Sequence, residues 1–284
     1  MNVSPRCYEI AITMGDPAGI GPEIICRALS AMSATERATA MVIGDPAIYR
    51  RAAVSVGAAL EFVPLEQAES GQDHVAVGVV EVPEGVEIPD GQISAGAGDM
   101  AFRCVHKAVE LVQAGRTQVI VTAPLNKAAL HAAGHHYDGH TGMLASLTGA
   151  SSSFMLLASE TLSTLHVSTH VSLRDAIDRV TPERIIATVE AGHAHLVALG
   201  MRAPRIAVAG LNPHCGEGGI FGDEDSRCIA PAVEHLRQSG FDVSGPISAD
   251  TVFYRASKGE FDLVIAQYHD QGHIPVKLIA FDTT

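Results

Sequence analysis

The chain has 284 residues, 47% of them hydrophobic, with a formal net charge of −13, enough apolar material for one large domain or two smaller ones. That acidic balance argues against a nucleic-acid binder, which carries a basic footprint, but leaves room for a small anionic ligand held by a few local cations. No apolar run approaches the ~18 residues that span a bilayer, and the amino terminus MNVSPRCYEIAITMGD lacks the layout of a signal peptide, so a cytoplasmic protein with no membrane partner is expected.

Strands and helices alternate along the chain. YEIAITM is an apolar strand ending at GDPAGIGPE, and EIICRALSAM follows as a helix with Pro22 suited to its first turn. MVIGDP repeats the strand-then-turn pattern. From about 52 to 98 the signals weaken, with a strand in HVAVGVVEV and turns in PEGVEIPDGQ. From Asp99 to Gly115 the apolar positions Ala101, Val105, Ala108, Val109 and Val112 follow the helical period. QVIVTAP is the next strand, leading into NKAALHAAG. After GHTG come FMLLAS and STLHVSTH, then a helix opened by Thr181 and Pro182. RIAVAGLN is a strand, DSRCIAPAVEHLRQSG a helix, DVSGP a short strand and FDLVIAQY the last strand. This alternation predicts an α/β fold with a largely parallel sheet. Composition alone marks no domain boundary. The five cysteines, Cys7, Cys26, Cys104, Cys215 and Cys228, show no C-x-x-C spacing and read as free thiols in a reducing compartment.

Ligand sites in open α/β sheets lie beyond the carboxyl ends of the strands. His170 ends STLHVSTH, His214 follows RIAVAGLN, and His269 follows FDLVIAQY, so three imidazoles are aimed at one layer of the fold. Neutral imidazole is the commonest metal-ligand side chain, and three protein ligands with open positions suit a catalytic metal rather than a sealed structural one. The competing reading of each is a histidine that merely ends a strand at the surface. His166 shares the register of His170 and is its alternative, whereas His273, His193, His195 and the His131, His135 and His136 group read as solvated or structural. In VIAQYHDQGHIPVK the pair His269 and His273 would share a helix face, as in H-E-x-x-H. Gly272 and Pro275 disfavour a helix there, so a strand followed by a loop is expected.

Other groups cluster near these loops. Lys277 is a compact cation able to neutralise a phosphate or carboxylate, or else an exposed lysine. His140 and Thr141 place two donors in a Gly-flanked loop at a helix start, a natural anion position. Asp250 reads as an N-cap for TVFYRAS, and Asp270 as a group that orients a neighbouring histidine. GDPAGIGPE begins like G-x-G-x-x-G but lacks the third glycine, so no dinucleotide site follows from it.

In this order, ITMGDPAGIGPEI, TAPLNK, GHTGMLA, HVSTHVSLRDA, AGLNPHCGEGG, ADTVF and YHDQGHIPVK resemble the motifs of the 4-hydroxythreonine-4-phosphate dehydrogenase family across nearly the whole chain. HVSTH and QGHIPVKL are most similar to the branch acting on 4-phospho-D-threonate and 4-phospho-D-erythronate. The resemblance implies two α/β/α domains with a cleft between them, similar to isocitrate and isopropylmalate dehydrogenases. It implies one domain from residues 1–125 plus 270–284 and a second, with the metal site and dimer contacts, from 126–269. It assigns a divalent metal (zinc, magnesium or cobalt) to His170, His214 and His269, and substrate contacts to His140, Thr141 and Lys277. Lys277, Asp250 and Asp270 become the catalytic group. NAD is the implied cofactor, bound without a Rossmann fingerprint, and a homodimer sharing metal ligands between subunits is the implied assembly.

The implied reaction is oxidation of the 3-hydroxyl of a phosphorylated four-carbon hydroxy acid followed by decarboxylation, with a metal that acidifies the hydroxyl and stabilises the enolate. Competing readings are dehydrogenation of 4-hydroxy-L-threonine 4-phosphate in pyridoxal phosphate biosynthesis, oxidation of a cyclic cis-dihydrodiol carboxylate, a metal-dependent hydrolase, and a dimeric fold without catalysis. Two departures stand out. Gly142 follows His140 and Thr141 where many relatives carry glutamate. The family pattern also continues beyond AFDTT with substrate contacts and a segment beside the cofactor adenine, so this stretch alone is expected to bind metal but to bind NAD poorly.

Overall fold

A computed structural model describes residues 7–68 and 73–281. The chain forms two compact units, the first ending at Ser153 and the second beginning at Phe154. The first is built on β1 (Ile10–Thr13), β2 (Ala40–Gly44), β3 (Phe62–Pro64), β4 (Val75–Val79) and β5 (Val119–Thr122), in the order β3-β4-β2-β1-β5. Every pairing in that sheet is parallel. Its helices are α1 (Gly21–Ala31), α2 (Ala34–Arg37), α3 (Pro46–Val56), α4 (Ala95–Gln113), α5 (Lys127–Ala132) and α6 (His140–Thr148).

Local chemistry explains these elements. The wholly buried AMVIG of β2 is the continuous apolar run that a central parallel strand requires. The glycines of GDPAGIGPE serve packing: a Cβ at Gly21 would lie 2.3 Å from the Met14 carbonyl oxygen, so only glycine lets α1 start against the end of β1. The helix expected from Asp99 begins a turn earlier, because the Ser94 hydroxyl accepts the Ala97 N–H at 3.2 Å and caps α4. Cys26, Cys104, Cys215 and Cys228 are free thiols. Burial pushes Cys26 up to about 11 and Cys104 up to about 12, leaving both unreactive.

The second unit contains β6 (Leu156–Ala158), β7 (Ser163–His166), β8 (Ile206–Ala209), β9 (Val243–Ile247) and β10 (Leu263–Ala266), ordered β6-β7-β10-β8-β9. Only β6 runs antiparallel to its neighbour; β7, β10, β8 and β9 are parallel and share one carboxyl edge. Its helices are α7 (Leu173–Asp178), α8 (Pro182–Ala198), α9 (Ala230–Gln238), α10 (Ala249–Ser257) and α11 (His269–Ala280). One core joins Leu165, Ile185, Val189, Ile206, Leu236 and Ile265, and a second joins Ala207, Val252, Phe253, Val264 and Val276.

One expectation is corrected, and the expected domain division sets other bounds than the two compact units. Residues 269–280 form a helix rather than a loop. Gly272 is tolerated there because the helix lies so close to β7 that a larger residue would collide with it, and Pro275 leaves only one amide missing from the helical ladder. The expected division of 1–125 plus 270–284 against 126–269 also differs from the one observed. Helices α5 and α6 pack on α4 of the first unit, and α11 packs on β6, β7 and β10 of the second; residues 282–284 lie outside the described residues. No described helix is long and apolar enough to cross a membrane.

Candidate active site

The carboxyl edge of the second sheet gathers the candidate residues of this unit. His170 follows the end of β7 by four residues, His269 follows β10 by three, His214 follows β8 by five, and Asp250 follows β9 by three. Strands β7, β10 and β8 are neighbours, so the expected alignment of three strand ends in one layer is present.

His170 and His269 face each other with ring centroids 5.6 Å apart. Together with Thr169, Ser172, Tyr268 and Asp270 they line a cavity of about 480 Å³, within the size range of small-molecule sites. His269 Nδ1 lies 2.6 Å from Asp270 Oδ1. A carboxylate oxygen accepts, so His269 donates from Nδ1 and keeps a lone pair on Nε2. Asp270 therefore orients the histidine beside it.

His214 stands on an unusual backbone. His214, Cys215 and Glu217 have φ values of 52°, 55° and 42°, a left-handed turn that L-residues adopt at a cost of roughly 1 kcal/mol each. Asp225, only 1% exposed, holds the entry to this turn by accepting the N–H groups of Leu211 at 2.8 Å and Asn212 at 3.0 Å. His214 Nδ1 lies 3.7 Å from Asp250 Oδ2. This corrects the capping role expected of Asp250: the cap position of α10 is Ser248, and Asp250 sits in the first turn, where its carboxylate faces His214.

Behind His269 the packing is polar and closed. The buried Gln267 and Gln271 side chains donate to the carbonyls of Ala209 and Gly210, both at 2.7 Å, tying β10 and α11 to the end of β8. His273 is 8% and His166 1% exposed, and their Nδ1 and Nε2 atoms lie 3.1 Å apart. Burial pushes the His166 imidazole down to about 4. His273 is also lowered by burial and by the nearby His269. Lys277 is exposed two turns along α11 from His269.

In the first unit, His140 and Thr141 open α6. Burial lowers the His140 pKa, and its Nε2 is buried without a hydrogen-bond partner among the described residues. A Cβ at Gly142 would meet nothing within 4 Å among the described residues, so the position that departs from the family pattern faces none of them.

The side chains that could ligate a divalent cation are the imidazoles past the strand ends, one ring nitrogen of His269 being engaged by a carboxylate, the arrangement common among ligating histidines. One chain brings together His170 and His269, while His214 keeps company with Asp250. Among the described residues no group of three or more His, Cys, Asp and Glu is gathered to hold a metal. The sequence reading missed Asp225, Gln267, Gln271 and the contact of His166 with His273. The helical period of His269 and His273 is a signal for the last of these, outweighed in the sequence by Gly272 and Pro275.

Fold and site together define a two-unit α/β protein with an imidazole- and carboxylate-lined cavity at the carboxyl edge of a sheet. The chain belongs to the PdxA family, described as Pyridoxal phosphate biosynthetic protein PdxA, whose model matches residues 36–284. It is 46% identical over 280 residues to a D-threonate 4-phosphate dehydrogenase of Cupriavidus necator, covering 96% of this chain and 83% of that protein. It is 42% identical over 284 residues to a 4-hydroxythreonine-4-phosphate dehydrogenase of Geobacter metallireducens, covering 99% of this chain and 83% of the relative. The crystal structure of a 4-hydroxythreonine-4-phosphate dehydrogenase from Klebsiella pneumoniae superposes with a TM-score of 0.87 at 43% identity, covering 96% of this chain and 85% of that one.

Proposed function

We propose that the protein is an NAD-dependent dehydrogenase that oxidises the 3-hydroxyl of a phosphorylated four-carbon hydroxy acid, 4-phospho-D-threonate or 4-phospho-D-erythronate, with subsequent loss of carbon dioxide. The observation that carries this reading is the convergence of His170 and the Asp270-oriented His269 on one small-molecule-sized cavity. The 46% identity to a D-threonate 4-phosphate dehydrogenase supports the substrate class.

His170, His214 and His269 would hold a divalent metal, and a ligand set drawn from two copies of the chain is compatible with one copy, among its described residues, gathering no group of three such side chains. When bound, the metal supplies Lewis acidity at the substrate oxygen, which favours loss of the hydroxyl proton and, after hydride departure, of the carboxylate. The chain's own groups do the remaining work. Asp270 accepts the Nδ1–H of His269 and so fixes which nitrogen is open. Asp250, beside His214, orients that ring or receives the hydroxyl proton. Lys277 offsets substrate charge, and His140 with Thr141 supplies donors for an anionic group.

The test is reduction of NAD by the protein with 4-phospho-D-threonate, 4-phospho-D-erythronate and 4-hydroxy-L-threonine 4-phosphate, with and without a chelator. Chelator-sensitive reduction with the first two is expected when residues 1–284 are assayed together with the segment that the family pattern adds after them. Preference for 4-hydroxy-L-threonine 4-phosphate would place the protein with its 42% identical relative instead, and hydrolysis without reduction would overturn the dehydrogenase reading.

A further inference from the structure

Two buried imidazoles behind His269 are not used by the proposed reaction. His166 Nδ1 lies 2.9 Å from the Met155 carbonyl oxygen. A carbonyl only accepts, so Nδ1 carries the hydrogen and Nε2 presents a lone pair. His273 Nδ1 lies 3.1 Å from that lone pair and 3.0 Å from the carbonyl oxygen of His269. Both of those partners accept, so His273 also carries its hydrogen on Nδ1, shared between the two. An imidazolium at His166 would set two donors against each other. The His273 ring then stacks on the His269 ring, with centroids 3.7 Å apart and planes within 15°. His269 in turn donates its Nδ1–H to Asp270 Oδ1 at 2.6 Å.

The backbone makes room for this chain of contacts. A Cβ at Gly272 would fall 2.3 Å from His166 Nε2, so glycine is what admits the His166 ring beneath α11. An apolar side chain would fill the same space without the desolvation cost of two buried imidazoles, a cost offset only when donors and acceptors match. They match at every link.

We propose that His273, held by His166, is a positioning residue for His269: the stacked ring and the bond to the His269 carbonyl fix the plane of the His269 ring, so that His269 donates its Nδ1–H to Asp270 and Nε2 keeps its lone pair. The proposal deepens the reading of His269 as a metal ligand and rests on it for its consequence, though not for its geometry. It accounts for a histidine four residues after His269 that is itself no ligand.

Long-range proton–nitrogen NMR correlations on the metal-free full chain report histidine tautomers directly. His166, His273 and His269 should all carry hydrogen on Nδ1, the minority form of a free imidazole. His273→Asn keeps a donor near the Nδ1 position and removes the ring; His273→Phe keeps a ring and removes the donor. Each should convert His269 to a mixture of tautomers and lower Co2+ affinity, followed by visible absorption, by about 10- to 100-fold, with circular dichroism unchanged. Hydrogen on Nε2 of His273 in the unsubstituted protein would overturn the proposal. So would an unchanged His269 tautomer and Co2+ affinity in both variants. Absence of Co2+ binding by the unsubstituted protein would refute the metal reading instead, and the tautomers would still decide the positioning role.

Discussion

Gly272→Ala should destabilise the protein although it lies in the interior of a helix, where alanine is ordinarily the better residue. Helix propensity alone favours alanine by ~0.8–1.0 kcal/mol. Against this, the new Cβ would stand 2.3 Å from His166 Nε2, 3.1 Å from His166 Cδ2 and 2.9 Å from the Ala266 Cβ. Neither neighbour has space to retreat, since His166 is 1% and Ala266 0% exposed. Forcing one carbon into such packing costs ~1–3 kcal/mol. Pushing His166 away from His273 leaves a buried lone pair unsatisfied, another ~1–3 kcal/mol. The net expectation is a loss of roughly 3 kcal/mol, after subtracting the propensity gain. Urea unfolding of the metal-free protein at fixed chain concentration measures it, and Gly142→Ala is the internal control. At Gly142, with none of the described residues within 4 Å of the new carbon, alanine should stabilise by ~0.4–1 kcal/mol. A Gly272→Ala protein as stable as the parent would refute the argued contact between α11 and His166.

Alanine at His170, His214 or His269 should each abolish stoichiometric metal, measured by elemental analysis after dialysis; full retention in any one removes that residue from the set. Lys277→Ala should weaken a phosphorylated substrate by ~1.5–3 kcal/mol, roughly 10- to 150-fold in KM, and an unphosphorylated analogue far less; equal losses would move Lys277 away from the phosphate. His166 contributes to pH-dependent stability. Its folded pKa of about 4 lies below the usual 6.5, so its neutral form stabilises the fold above pH 6.5, and that stability is lost as pH falls from 6.5 through 4. The full difference is about 3 kcal/mol at 1.36 kcal/mol per pH unit. Unfolding free energies of the parent and of His166→Gln, compared between pH 7 and 4, should converge toward acid; parallel curves would contradict it.

The sequence by itself determined the alternation of strands and helices and the placement of His170, His214 and His269 just past strand ends. These follow from runs such as RIAVAGLN and FDLVIAQY, because a strand buried on both faces must be apolar along its length and the residues after it must leave the sheet. Tertiary structure alone decided how the site is supported. Gly272 and Pro275 are helix breakers by local propensity, yet α11 forms because burial of Val276 and His273 against β7 and β10 outweighs a propensity cost of a few kcal/mol. Asp250 suits a cap by residue type, but the chain turns at Ser248 and delivers Asp250 to His214. Asp225 and His166 each lie far along the chain from what they hold, Asp225 from the turn at Leu211 and His166 from His273. Local pattern reports which face a side chain occupies, whereas a hydrogen bond across 107 residues exists only once the sheet has brought its strands together.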